Sequence, residues 1–169
     1  GAGSGSTIGV LWSCHGFKLG EKQHFEKVAL WEKGNHVPFI VVAPGMNRPG
    51  SRCGAPVDLS VIYPTLLELC GLAADEKCDG ASIVPLLKDA QAAWVRPALM
   101  TYGRGNHAVR SERWRYIRYA DGSEEFYDHQ NDPREWTNLA RRDDLAELMA
   151  EHRRWLPKEE AARVPDLKK

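Results

Sequence analysis

The sequence predicts an α/β fold that continues into a small antiparallel sheet of four strands and a C-terminal helix. Residues 7–12 and 37–43 are apolar and rich in β-formers, and each stretch ends in a loop of glycine, proline or polar residues. Such stretches are typical of buried strands in an α/β sheet. From residue 98 the pattern changes to short strands, which indicates a second, antiparallel part.

Composition limits the partners we expect. Twenty-three Lys and Arg residues balance 23 Asp and Glu residues, so no net field favours nucleic acid or an anionic membrane surface. We therefore expect no nucleic-acid partner and no membrane partner. The four cysteines have no C-x-x-C spacing, which argues against a structural zinc site. Cys70 and Cys78 could form a disulfide in an exported protein, or remain two unrelated thiols.

The first part, residues 1–97, should contain two helices after its strands. Apolar residues recur with helical spacing over 59–72, where Asp58 can cap the first turn and Gly71 lies near the end. Pro64 should either kink this helix or mark its true first turn. A shorter helix is plausible at 81–87.

The second part, residues 98–157, should form the antiparallel sheet. The Asp121-Gly122 pair is typical of a tight turn between its last two strands. The four predicted strands cover residues 98–102, 107–111, 114–119 and 125–127. A charged amphipathic helix over 145–156 can pack on this sheet, and residues 158–169 should form a loose tail.

A cluster of polar residues follows the first predicted strand. It reads Ser13-Cys14-His15-Gly16-Phe17-Lys18-Leu19-Gly20-Glu21. Later segments read His36-Val-Pro-Phe-Ile-Val-Val-Ala-Pro-Gly45, Asp58-Leu-Ser-Val-Ile-Tyr-Pro-Thr-Leu-Leu-Glu-Leu69 and Tyr127-Asp-His-Gln-Asn-Asp-Pro-Arg-Glu-Trp-Thr-Asn-Leu-Ala140. Taken in order, these segments resemble the C-terminal portion of sulfatases in the alkaline-phosphatase-like superfamily, most closely the iduronate-2-sulfatase-like branch.

The resemblance implies a fold, an activity and several site residues. The first part would be the C-terminal portion of an alkaline-phosphatase-like sheet, and the parent enzyme would hydrolyse sulfate esters of a small molecule or glycan. His15 would help to bind Ca²⁺, and Lys27 would bind the sulfate. A cation and an ammonium together can neutralise charge that develops on the sulfuryl oxygens. The resemblance also implies a parent protein in the periplasm or outside the cell.

Cys14 departs from the family pattern, because it occupies the position of the metal-binding aspartate. Calcium prefers oxygen ligands, so a thiol should weaken or abolish its binding. A zinc site made of Cys14, His15 and His24 is an alternative, although no fourth ligand is evident. A nucleophilic Cys14 with His15 as its base is a further alternative.

The sulfatase nucleophile is absent from this sequence. The family makes formylglycine from a Cys/Ser-x-Pro/Ala-x-Arg motif, and none of the 169 residues forms one. We therefore expect this chain to need the N-terminal half of the fold as a partner and to be inactive without it. The alternatives are a degenerate sulfatase or binding module without catalysis, and a phosphoesterase of the same superfamily.

A second group of polar side chains follows the first strand of the antiparallel part. Gly103 and Gly105 flank Arg104 and leave the backbone free to bend. The resemblance places this region at the rim of the substrate pocket, where Arg104, Asn106 and His107 could contact a sugar. The alternative is a structural hairpin whose histidine is hydrogen-bonded locally.

Overall fold

The protein's structure, a computed structural model, describes residues 5–46 and 48–162. The chain divides into two compact units, one made of Gly1–His15 with Val37–Arg96 and the other of Gly16–His36 with Pro97–Lys169. The strands are β1 (Gly9–Trp12), β2 (Phe39–Val42), β3 (Ala98–Thr101), β4 (His107–Arg110), β5 (Trp114–Arg118) and β6 (Glu124–Asp128). The helices are α1 (Glu32–Asn35), α2 (Ile62–Leu69), α3 (Val84–Lys88) and α4 (Ala146–Arg153).

The first unit pairs β1 with β2 in antiparallel orientation, with Leu11 opposite Ile40. Phe39 and Val41 face a buried cluster of Val61, Ile83 and Leu86. The opposite face of the pair is exposed, and it carries Leu11, Ile40 and Val42 at 55 to 58% exposure. The two strands were expected to be buried. That expectation is wrong for one face of the strand pair, because no described residue of the unit covers that face.

Helix α2 is shorter than the predicted 59–72. The Asp58 side chain accepts a hydrogen bond from the Ser60 N–H, and a 3-10 turn then leads into α2. Pro64 lies in the first turn of α2, where its missing N–H costs nothing. The helix stops at Leu69, and Gly71 follows with φ of +66°, a conformation that terminates helices. All four cysteines are free thiols, so Cys70 and Cys78 do not form the disulfide considered above.

The second unit is built around a meander with strand order β3-β4-β5-β6. Its bounds agree with the predicted strands to within about one residue, as expected for clear alternation separated by turn residues. Helix α4 begins one residue after the predicted start and ends three residues before the predicted end. None of the helices in the described ranges has the length and apolar character needed to cross a membrane.

The meander is the middle layer of this unit. Alternate residues of β4, β5 and β6 point to opposite faces, as strand geometry requires. On one face, Val109, Tyr116 and Phe126 form a core with Met149 of α4 and with Leu156. On the other face, Ala108, Ile117 and Tyr127 form a core with Leu30 and are packed by Trp31. Residues 16–36 therefore belong with the meander, which the sequence did not predict.

Candidate functional site

Cys14 and His15 lie in the first unit, one residue beyond the end of β1. The Ser13 N–H donates to Pro38 O at 3.2 Å, which extends the pairing of β1 and β2 by one bond. The Ser13 hydroxyl then donates to His15 O at 2.9 Å. Cys14 and His15 are both exposed. The end of β1 therefore presents a thiol and an imidazole to solvent.

These two side chains do not fit a calcium ion. Calcium takes oxygen ligands, whereas this pair offers one sulfur and one ring nitrogen. Within residues 5–46 and 48–162, one group of three His, Cys, Asp or Glu side chains lies close enough together to share a metal ion. Its members are Glu32, His129 and Glu135. Neither Cys14 nor His15 is a member of that group. Any further ligand for them would have to come from outside this group.

Lys27 lies in the second unit, on a loop that is closed by backbone hydrogen bonds. The Lys18 N–H donates to Glu26 O at 3.2 Å, and the Gly16 N–H donates to Gly34 O at 2.8 Å. A Cβ on Gly16 would collide with the Lys33 carbonyl, so this close approach requires glycine. Lys27 itself is exposed. Its ammonium is therefore available to an anion, as the predicted sulfate-binding role requires.

Arg104 and Asn106 lie on the loop between β3 and β4. Gly103 and Gly105 adopt φ of +64° and +79°, which explains why glycines flank Arg104. The Asn106 side chain accepts from the Ala120 N–H at 3.1 Å and donates to Arg104 O at 3.2 Å. Asn106 therefore holds the loop in shape, and Arg104 is exposed at its tip.

His107, the third predicted substrate contact, is 1% exposed. Its Nδ1 lies 2.9 Å from the Thr101 hydroxyl, and its Nε2 lies 3.2 Å from Glu160 Oε1. Glu160 Oε2 also accepts from the Gly105 N–H at 2.6 Å. Both ring nitrogens are thus engaged locally, and a sugar could reach them only if Glu160 moved. Residues 163–169 of the predicted loose tail lie outside the described residues.

A network of polar contacts that the sequence analysis did not single out joins residues 16–36 to the rest of the second unit. Its members are Glu32, Arg110, Arg115, His129 and Glu135. Arg115, 1% exposed, donates from Nη1 to Leu30 O at 2.8 Å and pairs through Nη2 with the Glu32 carboxylate. Its Nε lies 2.7 Å from Glu135 Oε1 without the geometry of a hydrogen bond. Arg110 Nε lies 3.2 Å from Glu32, and His129 Nε2 lies 3.0 Å from Glu135.

Electrostatics in this network favour the ionised form of Glu32. Burial alone would raise the pKa of Glu32, but the guanidinium groups of Arg115 and Arg110 outweigh it and hold that pKa at about 2. Burial lowers the pKa of Lys18, whose ammonium lies 3.7 Å from the centre of the Trp31 ring. Lys18 Nζ has no hydrogen-bond partner among the described residues.

A local signal for Arg115 was present in the sequence. Strand alternation over residues 114–119 puts Arg115 on the same face as Ile117. Once both faces of the strand are known to be covered, as the structure shows, an arginine on the face of Ile117 needs a buried acidic partner. The identity of the partners carried no signal, because Glu32 is 83 residues away along the chain.

Comparison with known proteins identifies the family. A family model described as "N-sulphoglucosamine sulphohydrolase, C-terminal" matches residues 20–162. The chain is 46% identical over 135 residues to a sulfatase of Formosa agariphila, a match that covers 80% of the chain and 26% of the relative. It is 31% identical over 152 residues to Arylsulfatase K of Xenopus laevis, covering 80% of the chain and 28% of the relative.

A solved structure supports the same assignment. The 2-O GAG sulfatase BT1596 superposes with a TM-score of 0.69 at 26% identity, over 87% of this chain and 34% of that chain. The chain thus spans about a quarter to a third of the length of these relatives. The family match includes Lys27, the meander and α4. Since it extends over most of the sequence, the chain belongs to the sulfatase family whose C-terminal portion this model describes.

Proposed function

We propose that this chain is the C-terminal portion of an enzyme that hydrolyses sulfate esters on a glycan or a sulfated small molecule. The observation that carries the proposal is an exposed Lys27 on a closed loop inside the region matched by the sulfatase family. The similarity to a 2-O GAG sulfatase supports a sulfated glycan as the substrate class. The loop motif that begins at Ser13 supports the iduronate-2-sulfatase-like branch. We place the parent protein in the periplasm or outside the cell.

Each candidate residue has a proposed role. Lys27 binds the sulfate and offsets charge on its oxygens as the ester bond breaks. Arg104 and Asn106 lie at the rim of the substrate pocket, with His107 supporting their loop from below. A formylglycine nucleophile is supplied by the N-terminal part of the enzyme. His15 belongs to the metal site of the parent fold.

The role of Lys27 can be tested in a chimera that replaces the matching segment of the Formosa agariphila sulfatase with this chain carrying Cys14→Asp. We expect Lys27→Gln to lower turnover of an aryl sulfate by about 100-fold, the usual loss when a group that stabilises developing charge is removed. Lys33→Gln is the matched control, because Lys33 is an exposed lysine of the same segment. Equal activity of the two variants would contradict the proposed role. Turnover of an aryl phosphate that is faster than turnover of the aryl sulfate would favour the phosphoesterase alternative.

Calcium binding should depend on residue 14. We expect the chimera with Cys14→Asp to bind Ca²⁺ more tightly than the chimera with Cys14, by about tenfold or more, because a carboxylate replaces a thiol. Calorimetric titration measures the difference, and Cys53→Asp is the control for an acidic residue at another exposed cysteine. The same affinity with Cys14 and with Asp at this position would remove residue 14 from the metal site.

Cys14 also favours a second function, that of a degenerate sulfatase or binding module without catalysis. A chimera with Cys14 that binds a sulfated glycan but does not hydrolyse it would support this function. Recovery of turnover with Cys14→Asp would show that the catalytic function had been lost through a single position. No turnover with either residue would leave the binding module as the better description.

The partner we propose for the first unit is the N-terminal part of the sulfatase fold. Leu11 and Ile40 lie opposite each other on the exposed face of the β1 and β2 pair. Exposed apolar faces promote association. We therefore expect the isolated chain to self-associate.

Sedimentation velocity tests this expectation. The double substitution Leu11→Thr with Ile40→Thr should shift the chain towards monomer, because it removes apolar area and puts β-branched threonine, a good strand former, at both positions. Val95→Thr is the control, since Val95 is 88% exposed and lies outside the strands. A monomeric unmodified chain would refute the expectation.

A further inference from the structure

Residues 16–36 carry Lys27 but contain little regular structure. Within this fully described segment, α1 has four residues and a 3-10 turn at Glu21–Gln23 has three. Such short elements are not stable by themselves. The position of the Lys27 loop must therefore be fixed by contacts with the meander.

Among the contacts of this network, the one between Arg115 and Leu30 O lies nearest to Lys27 along the chain. Arg115 extends from β5 and donates to Leu30 O, three residues after Lys27. The same guanidinium meets the carboxylates of Glu32 and Glu135. Arg115 thus holds one backbone carbonyl and one side chain of the segment while its own charge is neutralised from both sides.

Glu135 completes the attachment from the other side. Its Oε2 accepts a hydrogen bond from the Glu32 N–H at 2.9 Å, so the carboxylate holds the backbone at the start of α1. Glu135 is 2% exposed, and His129 lies 3.0 Å from its Oε1. Without Arg115, two largely buried carboxylates would share this space with no arginine between them.

We propose that Arg115 is a positioning residue for Lys27. Its guanidinium attaches the backbone just after Lys27 to the meander. This attachment restricts the positions that the Lys27 ammonium can take when it binds the sulfate. This inference rests on the proposed function, because the position of Lys27 matters to the reaction only if Lys27 binds sulfate. Arg115 itself touches neither substrate nor reacting atoms.

The geometry requires an arginine rather than any cation. Three different nitrogens of the planar Arg115 guanidinium contact three partners. Nη1 donates a hydrogen bond to Leu30 O, while Nη2 and Nε form ion pairs with Glu32 and Glu135. A lysine offers a single ammonium and cannot span these acceptors in the same way. Arg115→Lys should therefore keep the charge but lose part of the attachment.

Hydrogen exchange of the full chain tests the proposal. We expect amides of residues 27–34 to exchange about 100-fold faster in Arg115→Met than in Met149→Ala, with Arg115→Lys intermediate. Met149→Ala is the matched control, because Met149 is a buried residue of the core on the opposite face of the meander. The comparison is made at denaturant concentrations where the variants have equal global stability.

Two outcomes would overturn the proposal. If Arg115→Met and Met149→Ala gave the same exchange at residues 27–34, Arg115 would stabilise the unit without positioning the loop. If Arg115→Met failed to fold, Arg115→Lys would decide, and protection equal to that of the unmodified chain would refute the inference. The chimera with Lys27→Gln tests the function separately. Unchanged turnover there would reject the role of Lys27 while the exchange result stood.

Discussion

Replacing Arg115 with methionine should lower the free energy of unfolding of the second unit by about 3–5 kcal/mol at neutral pH. The variant leaves Glu32 and Glu135 in place, each largely removed from water, after the guanidinium between them has gone. Glu32 would keep only Arg110 at 3.2 Å, and Glu135 would keep only His129 at 3.0 Å. Removing one partner of a buried ion pair is among the most costly single changes in a protein. Urea unfolding followed by circular dichroism measures the loss.

Two further variants test the physical reason for this loss. The triple substitution Arg115→Met, Glu32→Gln and Glu135→Gln should recover part of the stability, because neither position 32 nor position 135 then carries a buried negative charge. Arg110 loses its ion pair with Glu32 but keeps its hydrogen bonds to Ser111 O and Glu112 O. Arg142→Met should cost far less than Arg115→Met, since the Arg142 and Asp144 side chains are 57% and 60% exposed and water screens their pair. Equal losses for Arg142→Met and Arg115→Met would mean that burial of the charge does not set the cost.

Acid should destabilise the second unit through Glu32. The arginines hold the pKa of Glu32 at about 2, below its ordinary value of 4.5, so the unfolded chain binds the proton more tightly. The stabilisation is therefore complete above about pH 4.5 and is lost as the pH falls towards 2. The difference between the two values corresponds to roughly 3 kcal/mol.

The control for acid unfolding is a neutral side chain at the same position. Glu32→Gln should be less stable at neutral pH, and its stability should change less between pH 4.5 and 2 than that of the unmodified chain. Glu26→Gln, which alters an exposed carboxylate of the same segment, should retain the original pH dependence. An unaltered pH profile in Glu32→Gln would assign the acid sensitivity to other carboxylates.

The sequence predicted the meander well because the strands and turns of the meander are encoded by neighbouring residues. The strands around the Asp121-Gly122 turn alternate cleanly, and the turn residues fix which side chains face each other. Alternation puts Trp114, Tyr116 and Arg118 of β5 on one face, and the register of β5 with β6 agrees with it. Local patterns of this kind need no knowledge of the rest of the fold.

The attachment of residues 16–36 could not be predicted, because it depends on distant partners. Arg115 and Leu30 are 85 residues apart, and no periodicity links a buried arginine to a particular carbonyl. His107 presents the same problem, because its burial depends on Glu160, 53 residues later. The exposure of β1 and β2 depends on what covers their outer face, which a strand pattern does not reveal.

The resemblance supplied what local patterns could not, namely a role for Lys27. Nothing in the spacing of the nearby lysines distinguishes Lys27 from Lys18 or Lys22 as an anion ligand. The structure separates them by their surroundings, because Lys18 is buried against Trp31 while Lys27 is exposed. Lys22 donates to the Tyr127 hydroxyl at 2.8 Å. The candidate thus rests on the family pattern together with exposure.

Because the meander is covered on both faces, β5 should tolerate replacement of residues far better than a change in its length. Tyr116 belongs to the apolar core beneath α4, whereas its neighbours Arg115 and Ile117 face residues 16–36. Deleting or inserting one residue in this strand would exchange the two sets and place a guanidinium in the apolar core. Relatives can differ in the lengths of their loops. The number of residues from the start of β5 to the Asp121-Gly122 turn should nevertheless stay constant among them.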